Sequence, residues 1–362
     1  MEQKRIVIIQ RFFPNFREGF FDNLFLRGDI KLITYPKSIG KIKVPLNVQA
    51  KKYLYVPLSV VINKNYVLFI FLFFSLIRNK PYFIVTEGGS NTINNFFVLI
   101  YCKLFKCKYA VWDLGKSYKN FGESIFRRLY NKLYKIIIKY SDFIFTYNST
   151  SEKYFRERYS DKRICVLNNT VDTNKIRKIK QDIDFLRIKA MEKRFEGYKY
   201  LYMYVGAINK NKNLENLFKI HSKLSGDYAL IVVGAGDEKY IEKLLDIYDK
   251  NIYFEGYKNL EELAYYYKII DFVILPGLGG LTIPQSMAFS KPVVCSGADG
   301  TEIDMVRNKI TGYIYNNIED AVNFITTQTK ENWERMGNTA ETLIYSNFSI
   351  DNMVDNFFSC IK

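Results

Sequence analysis

The sequence predicts an α/β protein of two doubly wound domains facing across a cleft, with a C-terminal helix packing back on the body. Three observations lead there. Apolar runs of strand length alternate with longer helical segments in two successive halves of the chain. Glycine-containing turns close several of the strands, as at Glu87-Gly88-Gly89-Ser90 and Gly234-Ala235-Gly236. A strongly charged stretch at 174–199 separates the halves, and 362 residues suffice for two ordinary domains. The expected division is a first domain at 1–173, a linker with helical content at 174–199, a second domain at 200–345 and a returning helix at 346–362.

In the first half, residues 5–10 form a buried strand, Phe13-Pro14-Asn15-Phe16-Arg17 the loop after it, and 18–26 a helix with phenylalanines on one face. A second strand is expected at 30–34. The run VLFIFLFFSLI at 67–77 is the most apolar in the chain, yet shorter than the roughly 20 residues that span a bilayer. It is a core helix or an interfacial segment. Further strands fall at 82–86, 108–112, 143–147 and 164–167, with an apolar helix at 95–105 and Asp113-Leu114-Gly115 closing the strand before it.

Residues 123–140 form a different kind of helix, in which Arg127, Arg128, Lys132, Lys135 and Lys139 alternate with Ile125, Phe126, Leu129, Leu133, Ile136 and Ile137. Such a basic amphipathic pattern suits an anionic membrane surface. It equally suits a core-packed helix with a solvated lysine face.

The second half repeats the alternation. A strand at 201–205 leads into a loop at 206–212 and a helix from 214, followed by a strand at 229–233 and the turn at 234–236. The pattern goes on with 252–254, a helix at 260–269 and the segment 271–294, DFVILPGLGGLTIPQSMAFSKPVV. There a four-residue apolar strand runs into Pro276-Gly277-Leu278-Gly279-Gly280. A helix follows from Thr282, with Pro284 tolerable in its first turn, until Lys291-Pro292 stops it. A glycine-rich loop ahead of a helix N-terminus gathers backbone N–H groups and a positive dipole end, which suits phosphate or hydroxyl oxygens. It is also what any tight strand-to-helix turn looks like.

Composition is globular, at 48% hydrophobic and 25% charged residues. A formal net charge of +16 points to an anionic partner: phosphorylated substrate, acidic membrane surface or nucleic acid. The five cysteines form no Cys-x-x-Cys pair and no zinc-type spacing, which fits a reducing cytosol and no metal site. The first apolar run is too short for a signal peptide.

The second half resembles family-4 glycosyltransferases. The residues that carry the resemblance are, in order, Val205-Gly206, Lys212-Asn213, Val233-Gly234-x-Gly236, Phe254-x-Gly256, Asp271-x-x-x-Leu275-Pro276, Gly280-Leu281, Met287-Ala288, Pro292-Val293-Val294, Glu302 and Thr311-Gly312. The first half is similar more loosely, through Pro14-x-x-Arg17 and Asn169-Thr170-Val171-Asp172. The resemblance implies the GT-B fold of two Rossmann-like domains and retaining transfer from a nucleotide-sugar, a UDP-sugar by preference. It needs no metal or other cofactor. The acceptor would be a saccharide, lipid-linked, in bacterial surface polysaccharide or lipopolysaccharide synthesis, with the enzyme cytoplasmic and peripheral on the inner face of the membrane.

Carried over residue by residue, Gly206 brings backbone to the donor pyrophosphate and Lys212 neutralises it, with Gly234 nearby. Gly256 and Tyr257 border the nucleobase, Leu281 and Thr282 complete the donor loop, and Gly279 and Gly280 line the reacting centre with Asp113. Pro14, Arg17, Glu87 and Gly88 line the acceptor side. Four departures stand out. Ala207 replaces an arginine, leaving Lys210 or Arg17 as substitutes, and Leu114 replaces a histidine. Gly277 and Gln285 replace two glutamates, so Gln285 would meet the ribose diol through its amide without charge assistance. The only histidine, His221, is expected to be a surface or packing residue. A non-catalytic partner subunit on the same fold would explain Ala207, Gly277 and Gln285 together. A nucleic-acid-binding protein would explain the charge, but no basic run interleaved with aromatics matches a known module.

Overall fold

The computed structural model describes residues 5–35, 37, 58–62, 66–115, 125–246, 251–298 and 300–362, with backbone alone at 90 and 125–127. The chain divides into one unit of residues 1–168 with 351–362 and a second of 169–350.

The first unit is built on a six-stranded parallel sheet. Its strands are β1 (Ile6–Phe12), β2 (Ile30–Tyr35), β5 (Phe83–Glu87), β6 (Lys108–Trp112), β7 (Phe143–Thr146) and β8 (Arg163–Val166), in the order β2-β1-β5-β6-β7-β8. Ile6, Val7, Ile8 and Ile9 are all buried, as expected of strands covered by helices on both faces. A separate antiparallel pair, β3 (Ser59–Ile62) and β4 (Tyr66–Phe69), precedes β5. The apolar run at 67–77 is therefore split. Its first residues pair with β3, and only Leu72–Asn79 is helical. Alternating burial of Val67 and Phe69 gives it strand character that its unbroken hydrophobicity concealed. The basic helix is seen from Ile125 to Tyr140; residues 123 and 124, and the side chains of Ile125, Phe126 and Arg127, lie outside the described residues. The last helix, Ile350–Ile361, is part of this unit, with Phe357 buried between Phe20 and Phe145.

The second unit carries another parallel sheet, formed by β9 (Tyr200–Val205), β10 (Tyr228–Val233), β11 (Ile252–Gly256), β12 (Phe272–Leu275), β13 (Val293–Ser296) and β14 (Gly312–Tyr315). Their order is β11-β10-β9-β12-β13-β14. The edge strand β14 has too few apolar residues to announce itself in the sequence. On one face Tyr202, Phe272 and Trp333 stack in succession, at centroid distances of 4.9 and 4.3 Å.

The stretch at 174–199 is not a linker. It forms two helices of the second unit, Thr173–Gln181 and Phe185–Arg194, each started by an aspartate side chain: Asp172 accepts from the Lys175 N–H and Asp184 from the Leu186 N–H. Ile176 is buried while Lys175, Arg177 and Lys178 are exposed, so the charge marked a helix surface rather than a break between domains. Lys180 ties the first of these helices to the long helix Lys330–Asn347 through Glu341 and to Ser290 at 3.0 Å.

Candidate functional site

A doubly wound sheet binds ligands where the chain reverses its direction of winding, beyond the carboxyl ends of the two strands involved. In the second unit those strands are β9 and β12. The loops that follow them, 206–213 and 276–281, hold Gly206, Lys212 and Leu281 of the residues singled out for the donor, with Gly279 and Gly280 of the expected reacting centre.

The loop after β9 is fastened at both ends. The Tyr204 hydroxyl donates to the Ala207 carbonyl at 2.9 Å, and Asn209 caps the turn Lys210–Lys212. Gly234 lies beneath it, and a Cβ there would come 1.8 Å from the Gly206 carbonyl oxygen, so only glycine lets the β9 and β10 loops close together. The two switch-point loops also meet. Lys212 Nζ donates to the Leu278 carbonyl, and Asn213 Nδ2 to the Pro276 carbonyl at 3.3 Å. A Cβ on Gly277 would stand 3.0 Å from the Asn211 carbonyl oxygen and 3.1 Å from the Lys212 backbone. The missing glutamate and the tight seating of the Lys212 loop are thus one feature. Ala207 and Lys210 are both exposed beside it.

Beyond Gly279 and Gly280 the helix Thr282–Ala288 runs for seven residues. The Thr282 and Ile283 N–H groups donate back to the Gly279 and Gly280 carbonyls, and the Thr282 hydroxyl to the end of β9 at Val205, 3.3 Å away. Leu281 is half-buried. Gln285 donates its amide to the Tyr267 hydroxyl at 3.2 Å; burial pushes that phenol up to about 12, so it stays protonated and available as an acceptor. At the end of β11, Gly256 and the exposed Tyr257 follow Glu255. Against burial, which raises it, Arg194 and the Tyr266 hydroxyl hold the Glu255 carboxyl below its usual value, at 2.6 and 2.7 Å. Sequence reasoning missed this set, because Arg194 lay in the supposed linker. His221 is buried, with Nδ1 2.6 Å from the Tyr202 hydroxyl, and so is a packing residue.

The first unit reverses between β1 and β5. At those strand ends Glu87 pairs with Arg11, whose N–H also donates to it at 3.2 Å, while Asn95 donates to the Glu87 carbonyl at 2.8 Å. Next to it, Asp113 accepts the Gly115 N–H at 2.7 Å, and Tyr134, Leu114 and Gly89 also donate to it. Burial still raises its carboxyl above the ordinary value. A Cβ on Gly88 would fall 1.7 Å from an Asp113 oxygen, so the two loops interlock. Pro14 opens the turn Asn15–Arg17, and the Arg17 guanidinium lies over the rings of Trp112 and Tyr147, at 4.5 and 5.1 Å. Asp113 thus ties its own loop to the loop after β5 and to the basic helix. Arg11, the partner of Glu87, and Tyr134, a donor to Asp113, have no motif that singles them out. Among the described residues no group of His, Cys, Asp and Glu side chains gathers as a metal site would.

Comparison with known proteins gives the arrangement a family context. Residues 187–342 match the family profile of glycosyl transferases group 1. No curated protein sequence matches the chain. Solved structures do, over nearly its whole length. HepE from Anabaena, in complex with UDP, aligns with 99% of this chain and 99% of its own at 12% identity and a TM-score of 0.74. A glycosyltransferase from Rickettsia africae ESF-5 aligns over 99% and 98% at 15% identity and 0.74. The lipopolysaccharide outer core galactosyltransferase WaaB aligns over 99% of both chains at 15% identity and 0.67. At these identities the likeness speaks for the fold, which is GT-B, while the group 1 match speaks for the second unit. With that domain on that fold, the chain is a glycosyltransferase.

Proposed function

We propose that the chain is a retaining enzyme of family 4 that takes a sugar from a UDP-linked donor and places it on a saccharide carried by a lipid, in bacterial surface polysaccharide synthesis. It would work on the cytoplasmic side, docked on the inner face of the membrane. The observation that carries the donor half is Lys212, which reaches over the β9–β12 switch point to a neutral carbonyl. A diphosphate is a stronger partner for an ammonium than a carbonyl is, so the donor would take Lys212 from Leu278. With Gly277 in place of a carboxylate, the sugar would rest on backbone N–H groups from Leu278 to Leu281, and Gln285 would meet the ribose.

Retention needs no side-chain nucleophile in this reading. The acceptor hydroxyl bonds to the anomeric carbon on the face from which the diphosphate departs, the carbon–oxygen bond to the diphosphate breaks, and the hydroxyl proton passes to the departing oxygen. Catalysis is then positioning plus stabilisation of that departing charge. HepE is seen with UDP, which supports the choice of nucleotide. Calorimetry with UDP tests it: Lys212→Ala should weaken binding by about 1.5–3 kcal/mol, the scale of a charge-assisted hydrogen bond. Equal affinity in the variant and the parent sinks the assignment. Turnover should survive EDTA, and the product anomer should match the donor.

A further inference from the structure

We infer that Cys165 and Cys360 form a two-cysteine redox site, which a peroxide oxidises to a disulfide that staples the last helix to β8. The pair plays no part in the sugar transfer proposed above.

The register of the first sheet brings the two residues together. Phe145 of β7 and Cys165 of β8 pair directly across the strands, so their side chains leave the sheet on the same face. Phe145 meets Phe357 of the last helix, with ring centroids 5.8 Å apart. Cys360 follows Phe357 by about one helical turn and shares its side of that helix. The docking that seats Phe357 on Phe145 therefore sets Cys360 against Cys165, and the two thiols hydrogen-bond to each other. Both belong to the first unit, although the whole second unit lies between them in the chain.

Access and charge give the two sulfurs different roles. β8 is an edge strand, and of the five cysteines Cys165 alone is not buried, so a small oxidant can reach it. Cys360 donates to its sulfur, and the Arg163 and Arg156 charges favour its thiolate. Together they hold the Cys165 thiol below its ordinary value, against burial and Glu152. The bond it gives to Cys165, and then burial, hold the Cys360 thiol above its own. A peroxide-reactive thiol and its resolving partner need this division. Cys102 and Cys107 also touch, but both are buried, and their hydrogen bond and burial push the Cys102 thiol up.

In the first step the Cys165 thiolate attacks one oxygen of hydrogen peroxide. The O–O bond breaks, the departing oxygen leaves as water with the thiol proton, and Cys165 becomes a sulfenic acid. The Cys360 sulfur then attacks the Cys165 sulfur. The S–O bond breaks, the S–S bond forms, and the Cys360 proton leaves in a second water. The two thiols give up two electrons and the peroxide takes them; a dithiol reductant reverses the change. In a reducing compartment the dithiol is the resting form and the disulfide a transient response.

The test treats the reduced full chain with a small excess of hydrogen peroxide, alkylates the remaining thiols and maps peptides by mass without reduction. A peptide pair joining 165 to 360 should appear, and dithiothreitol should abolish it. Cys360→Ser should trap Cys165 as a sulfenic acid that dimedone tags, while Cys165→Ser should leave Cys360 unoxidised. Oxidation should slow hydrogen exchange along Ile350–Ile361 at least about tenfold in the parent and not in Cys165→Ser. The peptide map of the parent needs no variant, so it decides even if a serine variant folds poorly. The inference is overturned if Cys165 runs on to sulfinic acid without linking to 360, if it links two copies of the chain instead, or if Cys102 and Cys107 oxidise first. A 165–360 link that leaves exchange in the last helix unchanged also overturns it, since the bond would then staple nothing.

Discussion

Gln285 shows how a single departure is absorbed. Its amide nitrogen donates to the buried Tyr267 hydroxyl, which leaves the amide oxygen as the group to turn towards a ribose. A glutamate there could accept from the same phenol. We therefore expect Gln285→Glu to keep UDP affinity nearly at the parent level and Gln285→Ala to lose about 1 kcal/mol, one hydrogen bond. Titration of both variants with UDP checks this, and a larger loss for the glutamate than for the alanine would count against the ribose role. At this scale the sequence was uneven. Lys212 and Gly277 could be picked out, but not that a Cβ at 277 crowds the backbone at 211 and 212, since that is a contact between loops 65 residues apart in number. Arg11, which pairs with Glu87, was hidden for the same reason: it is an ordinary charged residue until β1 and β5 lie side by side.

Among the elements, strands were the most legible, because both sheets are parallel and their buried runs are short and unbroken. The helices at 173–194 were the least legible, as their charge outweighed two good aspartate caps. Their place in the second unit has a consequence for the β11 end. Arg194 is half exposed, but its partner Glu255 keeps only 9% of its side-chain surface in contact with solvent. Arg194→Ala leaves that carboxylate with the Tyr266 hydroxyl as its remaining side-chain donor, which should cost about 1–3 kcal/mol of stability in urea unfolding. Arg194→Lys should recover part of it, less than fully for want of the planar guanidinium. No loss in the alanine variant would show that Glu255 is hydrated after all.

At the scale of the whole molecule, the chain leaves the second unit at Ile350 and ends in the first. The general plan of two alternating halves and a returning helix was legible, since periodicity survives without any knowledge of contacts. What the last helix touches was not. Phe357 fills a slot between Phe20 and Phe145, with centroids at 6.2 and 5.8 Å, and Asp355 pairs with Arg27 at the surface. The exposed ion pair contributes little, whereas the buried ring contributes much. Phe357→Ala should therefore destabilise the first unit by about 3–5 kcal/mol and leave the sheet of the second intact. In calorimetry the variant should unfold in two separated steps, the earlier one belonging to the first unit. UDP binds only native protein, so it should raise the later step and leave the earlier one in place. If UDP instead moves the earlier step, either the donor site draws on the first unit or the last helix supports both, and Lys212→Ala in the same background decides which.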